Sequence, residues 1–266
     1  MTEAGGFSMP RIENLKIKIF ADGADLKGIL EMKENPLISG FTTNPTLMRK
    51  AGIANYEVFA RKVLEKVTEH PVSFEVFADD FPTMIRQGRV IASWGKNVNV
   101  KIPVMNTKGE FSGAVLRALV MEGVKLNVTA IMNTDQVHAV TKMLDPAVPA
   151  IVSVFAGRVA DTGIDPVPLM SKCKEILASR PKVELLWASP RELLNIFQAD
   201  EAGCHIITVS HELLAKLSLI GKDLDEYSLE TVQMFYRDAV ASGFEIAEDG
   251  TASADARASR LRQIAI

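Results

Sequence analysis

Eight short runs rich in valine, isoleucine and phenylalanine recur along the chain with amphipathic stretches between them, and this alternation restricts the fold more than any other property of the sequence. A strand-length run followed by a stretch of helical period, repeated, is the pattern of parallel βα units. The runs fall at 16–22 (KIKIFAD), 39–44 (SGFTTN), 72–77 (VSFEVF), 98–104 (VNVKIPV), 125–131 (KLNVTAI), 150–157 (AIVSVFAG), 182–189 (KVELLWAS) and 204–210 (CHIITVS). Between them the helical period is clear: after Asn55, the residues Tyr56, Phe59, Val63, Leu64 and Val67 share one face, and Ser112 precedes Val115, Leu116, Leu119 and Val120. The segment 211–219 (HELLAKLSL) predicts a helix directly after the eighth run, and 229–244 predicts a further one. Eight such units predict a (β/α)8 TIM barrel with an extra C-terminal helix. A doubly wound open sheet has the same alternation, since closure is not written in the sequence.

At 266 residues and 47% hydrophobic, the chain is of a size that α/β barrels fill as one domain, so 1–266 is expected to be a single barrel domain. Within it, residues 1–10 read as a flexible N-terminus and 246–266 as a C-terminal appendage. A net charge of −3 sets up no global field for nucleic acid or an anionic membrane, so neither is an expected partner and any anionic ligand must be held locally. Cys173 and Cys204 lack C-x-x-C spacing, and the chain has neither a secretory apolar core nor an 18-residue apolar run, which points to the cytoplasm. His70, His138, His205 and His211 lack metal-ligand spacing and no glycine-rich phosphate loop follows a strand, so neither a metal nor another cofactor is expected. Asn127-Val128-Thr129 matches a glycosylation sequon but falls in a predicted buried strand, and Asp161 and Asp165 (DTGIDP) read as turn formers.

Strand side chains alternate between faces, so each run splits by parity. In the fourth run Val98, Val100, Ile102 and Val104 form one apolar set, which leaves Asn99, Lys101 and Pro103 facing the barrel interior. By the same count Asp22 opposes Ile17, Ile19 and Ala21, while Glu75 opposes Val72, Phe74 and Val76. Asn127 and Thr129 oppose Leu126, Val128 and Ala130, and Thr42, Asn44 and Ser153 join them near strand ends. Burying such groups without partners costs about 1–3 kcal/mol each, so they must satisfy one another or a ligand. Barrel active sites lie where most of them fall, at the C-terminal strand ends. A buried lysine is either ion-paired, here with Asp22 or Glu75, or a nucleophile whose amine is kept partly neutral by desolvation and neighbouring cations. In the second case it can attack a carbonyl, and a nearby carboxylate can serve as general acid or base.

These residues resemble the transaldolase family, specifically its short-chain branch, which also contains the fructose 6-phosphate aldolases. The resemblance spans about 16–245 and rests on the Asp of FADGAD, the TTNP of GFTTNPT, Glu75 in SFEVF, the Lys of VKIPV, and on LNVTAI, SVFAGR and ASPR. It implies a barrel of the class I aldolase type in which Lys101 forms a Schiff base and Asp22 takes the C4 hydroxyl proton, while Glu75 and Thr129 position a proton-shuttling water. Asn44, Asn127 and Ser153 would hold the dihydroxyacetone hydroxyls, Thr42 and Thr43 would shape that site, and Arg158, Ser189 and Arg191 would bind the distal phosphate. Glu75 and Phe155 side with transaldolases, since the aldolase branch usually has Gln and Tyr there.

Four positions depart from the family pattern: Gly23 in place of Thr, Val154 in place of Pro, Trp187 in place of a small residue, and Pro190 in place of an aromatic. The leading expectation is a transaldolase that moves a dihydroxyacetone unit from a ketose phosphate, such as fructose 6-phosphate or sedoheptulose 7-phosphate, to an aldose phosphate. The alternatives are an aldolase releasing free dihydroxyacetone, a transaldolase for a modified sugar (suggested by Trp187 and Pro190), and a non-catalytic sugar-phosphate binding barrel. The resemblance further implies a ring-like homo-oligomer.

Overall fold

The computed structural model describes residues 12–244 and 246, so the terminal segments 1–10 and 246–266 lie outside it apart from Ile246. After a 3-10 turn at Ile12–Asn14 the chain runs β1 (Lys18–Asp22), α1 (Leu26–Lys33), β2 (Ile38–Thr42), α2 (Pro45–Lys50), α3 (Tyr56–Lys66), β3 (Val72–Glu75) and α4 (Phe81–Ala92). It continues through β4 (Val98–Pro103), α5 (Gly113–Met121), β5 (Leu126–Ile131), α6 (Thr134–Met143), β6 (Ala150–Val154), α7 (Ala156–Ala160) and α8 (Pro166–Leu177). The remaining elements are β7 (Val183–Trp187), α9 (Leu194–Glu201), β8 (Ile206–Ser210), α10 (His211–Leu214) and α11 (Leu224–Ser242). All eight strands are parallel, and β8 pairs with β1 to close a (β/α)8 barrel, which settles the choice against an open sheet. The described residues divide into two compact units, one ending at Ile220 and one beginning at Gly221. Among them no helix is long and apolar enough to cross a membrane.

Every predicted strand is present, and most are shorter than predicted because their last residues leave the sheet. Asn44 caps α2, its Oδ1 accepting the Leu47 N–H at 2.9 Å ahead of Pro45 in the first turn. Phe155 and Ser189 also lie beyond the ends of β6 and β7, without a capping side-chain bond from Phe155 and with Ser189 at φ 62°. The predicted helix 211–219 is interrupted: α10 stops at Leu214, and three-residue spacing (Lys216 N–H to Leu213 O, 3.1 Å) leads into a 3-10 turn at Leu217–Leu219. The last helix starts five residues earlier than predicted, because Asp223 accepts from the Asp225 and Glu226 N–H groups. No residue of α11 is buried; Leu229, Val232, Phe235, Tyr236 and Val240 are all exposed.

The parity split holds in three dimensions. Val98, Val100, Ile102 and Val104 pack in the layer between sheet and helices. Inside the barrel a small cluster of Phe20, Ile151, Leu186, Ala188 and Ile206 forms a plug. Below it the N-terminal mouth holds a cavity of about 460 Å3 lined by Lys18, Asn99, Lys125 and Glu184 among others. Asn99 thus faces the interior on the N-terminal side, whereas Asp22, Glu75, Lys101, Asn127 and Thr129 lie towards the C-terminal strand ends. Trp187 belongs to the sheet–helix layer, fully buried, one residue out of phase with the interior Leu186. Its size is therefore a matter of core packing and not of the barrel lumen.

Candidate active site

Register sets the site. Glu75, Lys101 and Asn127 are direct partners across β3, β4 and β5, and Asp22 stands level with Thr42 on one side and Ser210 on the other. Side chains at matched height on one face of neighbouring strands come within contact. Lys101 is 7% exposed; its Nζ lies 3.2 Å from Glu75 Oε2 and donates to the Thr43 carbonyl at 2.8 Å. Of the two candidate ion-pair partners, Glu75 is the one in contact. A buried pair of this kind is no strong source of stability, since desolvation offsets the attraction, but loss of either member leaves a poorly compensated charge.

Asp22 accepts from Thr42 Oγ1 at 2.7 Å and Asn44 Nδ2 at 3.2 Å, and the Thr42 hydroxyl also meets that of Thr208. Burial pushes the Asp22 carboxyl above its ordinary range; Lys101, the Thr42 hydrogen bond and His211 draw it back down, and Glu75 adds to the rise. On the far side of Lys101, Ser153 Oγ donates to Asn127 Oδ1 at 2.6 Å and Asn127 Nδ2 donates to Ser73 Oγ at 3.1 Å. Thr129 is buried on the same face, level with Pro103. Ala130 follows at φ 61° and shifts the β5–β6 register, so that Ile131 returns to the sheet–helix layer. Ala130 and Ser189 are the non-glycine residues with positive φ among the described residues. Such backbone strain of about 1–3 kcal/mol gathers at functional sites, and here it borders Thr129 and Arg191.

The residues expected at the phosphate form a second group at the ends of β6 and β7. The Arg158 guanidinium stacks over Phe155 at 5.5 Å from the ring centroid. Arg191 pairs with Asp161, its Nε donating to Oδ1 at 3.0 Å with a second contact from Nη2 to Oδ2. Asp161 opens the turn that ends α7, as read from the sequence, and is in addition a counter-ion, held below the usual carboxylate range chiefly by the Arg191 hydrogen bond. Asp165 caps α8 through Val167 N–H. Ser189 is brought against Gly157 so closely that no side chain fits there. Thr43 takes part through its backbone: its hydroxyl bonds the Ser73 carbonyl at 2.9 Å, while its own carbonyl meets Lys101.

Four residues at the site were not expected. Ser73 and Thr208 share the inward parity of Glu75 and Ser210, so the count that found Lys101 also reaches them. Tyr56, at the start of α3, accepts the Glu75 N–H at 2.7 Å and donates to the Glu75 carbonyl at 3.1 Å, and burial raises its phenol well above the ordinary value. His211 sits at the end of β8. No periodicity marks a helical tyrosine or a post-strand histidine as a neighbour of the lumen. Among the described residues no group of His, Cys, Asp and Glu is arranged to hold a metal ion.

A closed parallel barrel whose C-terminal strand ends gather a lysine, two carboxylates, hydroxyls and amides defines a (β/α)8-barrel enzyme with a lysine at its centre. The family model described as Transaldolase/Fructose-6-phosphate aldolase matches residues 19–254. A "Probable transaldolase 2" from Listeria monocytogenes is 35% identical over 202 residues, 76% of this chain and 88% of the relative. A "Probable transaldolase" from Clostridium acetobutylicum is 33% identical over 224 residues, 84% of this chain and 99% of the relative. The chain belongs to the transaldolase/fructose 6-phosphate aldolase family. A solved structure of an HpcH/Hpal aldolase/citrate lyase family protein from Burkholderia cenocepacia matches with a TM-score of 0.55 at 13% identity, covering 82% of this chain and 95% of that one, and shares the fold alone.

Proposed function

We propose that the chain is a transaldolase that transfers a dihydroxyacetone unit from a ketose phosphate, fructose 6-phosphate or sedoheptulose 7-phosphate, to an aldose phosphate through a Schiff base on Lys101. The observation that carries this is the contact of Lys101 Nζ with Glu75 Oε2 at 3.2 Å, with a second carboxylate, Asp22, half-buried at the end of β1. Glu75 takes the ammonium proton, and the neutral amine adds to the donor C2 carbonyl. Loss of water from the carbinolamine, with Glu75 and Thr129 positioning the water that carries the proton, leaves an iminium. Asp22 accepts the C4 hydroxyl proton as the C3–C4 bond breaks, the electron pair moves into the iminium to give an enamine, and the aldose phosphate departs. The enamine then adds to the acceptor aldehyde, Asp22 returns its proton, and hydrolysis frees Lys101.

Asn44, Asn127 and Ser153 suit the hydroxyls of the retained unit. Arg158, Arg191 and Ser189 suit the distal phosphate, since paired guanidinium groups match phosphate oxygens. The test is borohydride trapping with fructose 6-phosphate read by mass spectrometry: an adduct on Lys101 is expected, and its absence under turnover refutes the Schiff base. EDTA should leave turnover unchanged. Release of dihydroxyacetone without an acceptor would favour the aldolase reading, which the family description also covers. The modified-sugar reading loses half its motive, because Trp187 faces the helices and leaves Pro190 alone near the phosphate group. We also propose a cytoplasmic homo-oligomer, supported by the free cysteines Cys173 and Cys204 and by the exposed apolar residues of α11. Sedimentation at one monomer mass would refute the oligomer.

A further inference from the structure

Two buried glycines on different elements converge on one imidazole. A Cβ at Gly23 would stand 2.9 Å from His211 Nε2, and a Cβ at Gly28 would stand 2.7 Å from both Nδ1 and Cε1 of the same ring. Gly28 lies inside α1, where glycine is less favourable than alanine unless space demands it. Gly23 follows Asp22 directly, and His211 follows Ser210, the residue paired with Asp22 in the β1–β8 register. The ring is thus held between the N-terminus of α1 and the end of β1. His211 Nε2 is buried with no hydrogen-bond partner among the described residues.

We propose that His211 is a positioning residue for Asp22, its imidazole seated over Gly23 and Gly28 beside the half-buried carboxylate. This rests on the reading of Asp22 as the group that takes the C4 hydroxyl proton, which it can do only when ionised. When protonated, the imidazole opposes the burial that favours the neutral carboxyl, as do Lys101 and the Thr42 hydroxyl, while Glu75 acts the other way. Among the described residues, Asp25 has its Oδ2 3.3 Å from the same Gly28 position while it caps α1, and Glu212 is exposed on the ring's own helix. Asp25 is bound to the α1 backbone, so Asp22 is the acid left for the imidazole to influence.

The test is the titration of Asp22 by carbon-13 NMR in the full chain labelled at aspartate carboxyls, with Asp22→Asn assigning the signal. In His211→Gln the midpoint should rise, the carboxylate binding its proton about three- to tenfold more tightly. Gly23→Ala should move it the same way by displacing the ring, and the double variant should add nothing further. The acid limb of the kcat/KM profile for fructose 6-phosphate should move up with the midpoint, while activity at alkaline pH changes little. An unchanged midpoint in His211→Gln overturns the proposal; His211→Asn replaces that variant if it does not fold. Wild-type protein that titrates as expected but neither turns over sugar phosphates nor traps on Lys101 overturns the transaldolase reading and leaves the His211–Asp22 coupling standing.

Discussion

Gly157→Ala is the most exacting perturbation of the group proposed to bind the distal phosphate. The added Cβ would lie 1.5 Å from the Ser189 carbonyl oxygen and 2.6 Å from its carbon. An ordinary carbon–oxygen contact is about 3.3 Å, so one backbone must retreat by about 2 Å. Neither has room to give: Gly157 N–H bonds the Ala188 carbonyl at 3.3 Å, and Ser189 is already in the left-handed region at φ 62°. Overpacking costs about 1–3 kcal/mol, and a clash of backbone with backbone belongs at the upper end. For a chain of this size about 3 kcal/mol lowers Tm by about 6–12 °C. The same retreat parts Arg158 from Ser189 and Arg191, and a lost charged hydrogen bond of about 1.5–3 kcal/mol raises KM for fructose 6-phosphate by about ten- to a hundredfold. Turnover of an unphosphorylated donor should fall far less. Melting curves and steady-state assays on both donors measure this, and a variant with wild-type Tm and undiminished preference for the phosphorylated donor would refute it.

Three further outcomes follow from the contacts. Because burial raises the Asp22 carboxyl in the folded state, ionised Asp22 costs stability above that raised value, and the cost fades as pH falls to the ordinary carboxylate range. Asp22→Asn should therefore be inactive yet more stable than wild type at neutral pH, with the gain vanishing in acid; urea melts that coincide at neutral pH would contradict it. Tyr56→Phe removes the hydroxyl bridging both backbone groups of Glu75 and should lower stability by about 1–2 kcal/mol and kcat more than KM, as melting and steady-state kinetics can show. Asp161→Asn frees Arg191 from an exposed ion pair, so Tm should hold while KM for phosphorylated donors drops about two- to fivefold; a rise in KM would mean that Asp161 orients the arginine and does not compete with phosphate.

Much of this site is legible because a strand has only two faces. Val100 and Ile102 at the sheet–helix layer compel Lys101 inward, and the same rule finds Asp22, Glu75, Asn127 and Thr129. It also separates Trp187 from the lumen, although as a departure from the family pattern that residue suggests a modified sugar. The rule lapses where backbone leaves the sheet. Ala130 and Ser189 take positive φ because of what packs around them, which no local propensity encodes. Tyr56 reaches Glu75 from a helix, and the Asp161–Arg191 pair spans 30 residues of chain, so neither has a signature in the sequence around it. Closure of the barrel is likewise a property of the whole.

That closure has a bearing on how the chain comes into being. The first strand must wait for the last: Asp22 has its β8 neighbour only once Ser210 is made, and Thr42 meets Thr208 across 166 residues of sequence. During vectorial synthesis β1 emerges with one edge bare, and contacts of such long separation form slowly. The candidate site is thus assembled from the beginning and the end of translation at once, and a chain truncated before residue 206 would keep its lysine and Glu75 while lacking the wall that completes the Asp22 carboxylate's surroundings.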